Sequence, residues 1–181
     1  MADPANIIVA TFEEPSKTYQ AFSEIKQAAA KRELTIEALA VVRRAADGSL
    51  ETPEFTGGSY GGSLKGGLIG SLIGILGGPL GVLLGWGTGA LIGTIRDARE
   101  VRSDLGLLRS LSDGMYPGNV ALIGGVSEPS NVVVNGIVSR LGGEMLRRPV
   151  ADVEREIDRA NQAHEAAQSE ARRVMNEDPP A

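Results

Sequence analysis

Hydrophobic and polar positions along this chain switch between two periods, and the switches mark out its elements. The run "NIIVATF" from Asn6 is too short for a helix and rich in β-branched residues, which predicts a strand. Glu-Pro-Ser follows, with Pro15 placed for a first helical turn, and Tyr19, Phe22, Ile25 and Ala29 then recur on one helix face. Leu34 to Arg44, "LTIEALAVVRR", predicts a second strand ended by the turn signal "ADGS". The layout returns near Val120. "VALIGGV" predicts a strand and Glu-Pro-Ser at Pro129 a helix start. Val133 or Val134, Ile137 and Leu141 make the helix face, and Gly142 to Arg148 a strand introduced by a glycine pair. Glu13, Glu14 and Glu128 stand beside the two prolines, where a carboxylate can cap a helix and meet the positive end of its dipole. Strand–helix–strand twice is the outline of an α+β, ferredoxin-like split βαβ fold, with one half in 1–52 and the other in 118–149.

Two pieces lie outside that outline. The first is an insertion over 53–117 that contains "GGLIGSLIGILGGPLGVLLGWGTGALIG" and then an amphipathic segment with Val101, Leu105, Leu108 and Leu111 at helical spacing. The second is a helix over 150–175, with a fraying tail at 176–181. Val150, Val153, Ile157, Ala160, His164, Ala167, Ala171 and Val174 alternate spacings of three and four along it, a heptad seam. The seam can pack on the chain's own domain or on another subunit, and its spacing does not separate the two.

The glycine region decides most of the functional reading. "TGGSYGGS" at Thr56 to Ser63 suits a linker, but from Leu64 onward the residues between glycines are mostly large and apolar, and water does not leave these solvated. Lys65 has Leu64 and Gly66 as neighbours, so the Gly-Lys-Ser/Thr of a phosphate loop is missing. Gly87, Gly89 and Gly93 imitate a dinucleotide fingerprint without the preceding strand that motif requires. The spacing points to helices. Gly66, Gly70, Gly74 and Gly78 are four apart, as are Gly81, Gly85, Gly89 and Gly93, and residues four apart share a helix ridge. A glycine ridge admits close approach of a second backbone. Gly77-Gly78-Pro79 interrupts the run, which predicts a hairpin with arms at about Leu64 to Leu76 and Leu80 to Ile95. Each step of four residues rotates the stripe by about 40°, so one partner helix cannot cover it all. Homo-oligomerisation through the glycine-zipper hairpin is the expectation.

Surroundings for that hairpin can be lipid or protein. No charged residue occurs between Lys65 and Arg96, and Arg96, Arg99 and Arg102 follow, as on a cytoplasmic membrane face. Each arm reaches only about 20–24 Å, short of a hydrocarbon core of about 30 Å. Mid-arm Trp86 suits burial in protein better than an interfacial belt. The favoured expectation is association with the cytoplasmic face of the inner membrane. The alternatives are a soluble cytoplasmic assembly that hides the arms between subunits, or a soluble ferredoxin-like ligand-sensing module.

Composition narrows the chemistry. The chain has 181 residues, 42% of them hydrophobic, which is enough for a core, and a net charge of −5, which makes nucleic acid an unsuitable partner. It has no cysteine and a single histidine, His164, so no metal site is expected and no cofactor. His164 lies among alanines on the seam without an orienting partner, and Asp97, Glu100 and Asp104 alternate with arginines as on a solvated helix face. No catalytic residue is assigned and no enzyme is expected.

Together, "NIIVATFEEPSKTYQAFSEIK", "EALAVVRRAADG", the apolar hairpin and "DLGLLRSLSDGMYPGNVALIGGV" resemble a bacterial family of predicted membrane proteins, domain-of-unknown-function family 1269. The likeness runs from Asn6 to Arg148, with Pro117 to Leu122 its most telling piece. It implies a membrane-associated protein, in some relatives with a stress-protein label, and brings no catalytic residue to any position here. A histidine-kinase label carried by other relatives finds no ATP-site motif in this chain. The long C-terminal helix departs from the family's short ending.

Overall fold

The computed structural model describes residues 5–47, 49–57, 64–77 and 118–177. Within them the order is β1 (Asn6–Thr11), α1 (Pro15–Ala30), β2 (Thr35–Arg44), β3 (Leu50–Gly57), α2 (Leu64–Gly77), β4 (Val120–Ser127), α3 (Val132–Arg140), β5 (Glu144–Pro149) and α4 (Val150–Glu177). The class is α+β: a five-stranded sheet in the order β3-β2-β4-β1-β5, with every neighbouring pair antiparallel. The expected second arm at Leu80 to Ile95 and the amphipathic segment after Arg96 lie outside the described residues.

Both sheet faces are covered, so its central strands cannot show the apolar–polar alternation of a one-sided sheet. Ile8, Ala10, Leu39, Val41 and Leu122 pack with Phe22, Ile25, Val134 and Ile137 of α1 and α3 on one face. Ile7, Val9, Ala38, Ala40, Val42 and Ile123 pack on the other with α2 and α4. β4 lies between β2 and β1 and is buried from Val120 to Val126. Gly124 belongs there because a Cβ would lie 2.5 Å from Leu39 Cδ1 and 3.0 Å from the Ala38 carbonyl oxygen.

The two strand–helix–strand units interleave: β1 and β4 are neighbours, β2 lies outside β4 and β5 outside β1. Their helices end alike. After α1 the Arg32 N–H bonds to the Ala29 oxygen at 2.9 Å and Glu33 N–H to the Ala28 oxygen at 3.1 Å. After α3 the Gly142 N–H bonds to the Ser139 oxygen at 3.0 Å and Gly143 N–H to the Val138 oxygen at 2.9 Å. Both are Schellman endings, which place one residue in the left-handed region. Gly142 takes it at φ 74°, whereas at α1 the residue is Arg32 at φ 63°. Gly142 and Gly143 therefore close α3, and the following strand begins only at Glu144.

The two Glu-Pro-Ser segments differ. Pro15 opens α1 as expected, but α3 begins at Val132, three residues beyond Pro129. β3 is a strand that the pattern did not indicate, and the boundary expected between Thr52 and Pro53 falls inside it. Its alternation is lost because it is an exposed edge strand with Pro53 at a register shift opposite Val41 to Arg43. Proline is tolerated at such an edge, and it discourages pairing with another sheet.

Candidate assembly surface

α2 carries the first arm of the glycine pattern, and its two faces differ completely. Leu68, Ile69, Leu72, Ile75 and Leu76 are buried against the sheet and α4. Burying one such side chain contributes about 1.5–3 kcal/mol, whereas each interior glycine costs a helix about 1 kcal/mol relative to alanine. The sheet therefore holds a helix that would not form alone. Gly67, Gly70, Ser71 and Gly74 make the opposite face, and it is exposed. Among the described residues, a Cβ built at Gly67, Gly70 or Gly74 would meet nothing within 4 Å, while one at Gly77 would touch Leu50 at 3.4 Å. The outer face is thus glycine backbone with one serine, without charge among its described residues. Phe55 lies on the same side of the sheet, since its register partner Ala40 points into the α2–α4 core, and it is 52% exposed.

Of the other expected packing residues, Gly66 is in the first turn of α2, and Gly78, Gly81, Gly85, Gly89 and Gly93 lie outside the described residues. In α4, Val153, Ile157 and Ala160 are buried and Val150 half-buried against the same core. The first half of the seam therefore packs within its own chain. His164 and Ala167 lie further along α4, and their side-chain surroundings are outside the described residues.

The carboxylates singled out beside the prolines do not converge. β1 runs antiparallel to β4, with Asn6 opposite Val126 and Thr11 opposite Ala121. Glu13 and Glu14, after the end of β1, and Glu128, after the end of β4, therefore stand at opposite ends of the sheet. A six-residue strand separates them by roughly 17–20 Å. Glu14 is the residue before α1 but makes no side-chain cap bond. Among the described residues no group of three acidic or histidine side chains could hold a metal ion.

Glu128 meets the start of α3, as its sequence position indicated, and adds an ion pair to that contact. Its carboxylate is fully buried and accepts from Arg147 Nη2 at 2.6 Å and from the Val134 N–H of α3 at 3.3 Å. Arg147 also donates to Asn135 Oδ1 at 3.1 Å, and its Nε and Nη1 have no partner among the described residues. The pair ties edge strand β5 to the start of α3. The cap was legible; Arg147 was not, because only the β1–β5 register, with Ile8 beside Arg147, turns it toward α3.

An open groove of about 700 Å³ runs between α1 and α3, lined by Ser23, Gln27, Lys31, Gly136 and Ile137 among others. Arg140 pairs with Glu24 across it. The Arg140 guanidinium holds the Glu24 carboxyl below its ordinary range, with a smaller contribution from the Gln20 side chain.

Among the described residues no helix is long and apolar enough to cross a membrane. Compared with protein-family models, curated proteins and solved structures, the chain matches none.

Proposed function

We propose that this chain is a non-enzymatic protein on a ferredoxin-like scaffold that assembles with copies of itself through the glycine face of α2. The observation that carries the reading is the bare outer face at Gly67, Gly70 and Gly74, on a helix whose Leu and Ile side chains are already committed to the sheet. Anchored in this way, α2 presents its backbone to a second helix at no further cost in folding. Glycine ridges pack closely because no side chain holds the backbones apart. Phe55, exposed on the same side, supplies apolar area that the glycines lack. The ferredoxin-like reading rests on the interleaving of the two strand–helix–strand units, with β3 added outside β2.

Gly74→Leu tests it. Among the described residues the new side chain meets open space, so the variant is expected to fold and to give a smaller particle by light scattering. An unchanged particle size would reject this surface.

Membrane association is a second reading, favoured by the charge-free run between Lys65 and Arg96. α2 spans about 21 Å at 1.5 Å per residue, and its apolar side is covered by the sheet, so in this reading α2 is not the lipid-facing element. The likeness to family 1269 belongs to this reading. Sedimentation of membranes followed by a carbonate wash separates the two: protein wholly in the supernatant as one large particle removes lipid from the proposal and keeps the assembly.

A further inference from the structure

We draw no further inference here: the strongest candidate, the open groove between α1 and α3 above Gly136 and Ile137, has nothing in the structure to show what fills it, its charged side chains being paired across it or solvated at its rim.

Discussion

Replacing Gly70 and Gly74 together by alanine separates what these glycines do for the single chain from what they do between chains. Among the described residues, neither new methyl group meets an atom within 4 Å. Only the backbone terms remain. Alanine is favoured over glycine by about 1 kcal/mol at each interior helix position, partly through the lower entropy of the unfolded chain. The two sites lie one turn apart on an uncrowded face, so the dissociated double variant gains about 2 kcal/mol. For a domain of this size that raises the melting temperature by about 4–8 °C. Assembly should move the other way, because two methyl groups now stand where the partner's backbone approaches. The measurement is urea unfolding at a dilution where both proteins are monomeric, alongside light scattering at high concentration. A stability loss in the dissociated variant would mean that something in the chain covers this face. Increased stability with unchanged particle size would leave the helix description standing and remove α2 from the interface.

Three further predictions follow from other parts of the fold. Glu128→Ala leaves the Arg147 cation buried without its counter-charge and frees the Val134 N–H, so a loss of about 3–5 kcal/mol is expected in denaturant unfolding. Glu128→Leu combined with Arg147→Met should recover most of that loss, and failure to recover would show that the pair contributes more than charge balance. Arg32→Gly relieves a left-handed side-chain position and should stabilise by about 0.5–1 kcal/mol, whereas Gly142→Ala at the matching place in α3 should destabilise; equal responses would refute the Schellman assignment. Because the Glu24 carboxyl is lowered in the folded chain, its contribution is fully present above the ordinary carboxylate range and is lost as pH falls through the lowered value. Glu24→Gln should therefore unfold more easily than the parent at pH 7, and the two should converge in acid. High salt should narrow the gap at pH 7, since Arg140 is largely solvated.

Local spacing determined a good deal of this protein. Runs of β-branched residues, the helix-period faces of α1 and α3 and the four-residue glycine spacing each depend on neighbours a few positions apart; the strands, α1, α3 and the first glycine arm they predict are present, and the second arm lies outside the described residues. The repeated strand–helix–strand order suggested interleaved halves, but the pairing of β1 with β4 is a contact between distant segments that local order does not fix. What the sequence could not supply were relations between distant segments. β4 was legible from its short apolar run although burial on both faces removes alternation, whereas exposure hid β3, because alternation reports a strand only when one of its sides is wet. Arg147 reads as one of two adjacent arginines until the β1–β5 register turns it toward Glu128. The glycine stripe reads as a surface in need of a partner, and spacing alone allows lipid, another helix or another chain. Tertiary structure decided that the Leu and Ile side of α2 belongs to the sheet and that, among the described residues, the glycine side is left open, because contact between a helix and a sheet is set by how both elements lie in space.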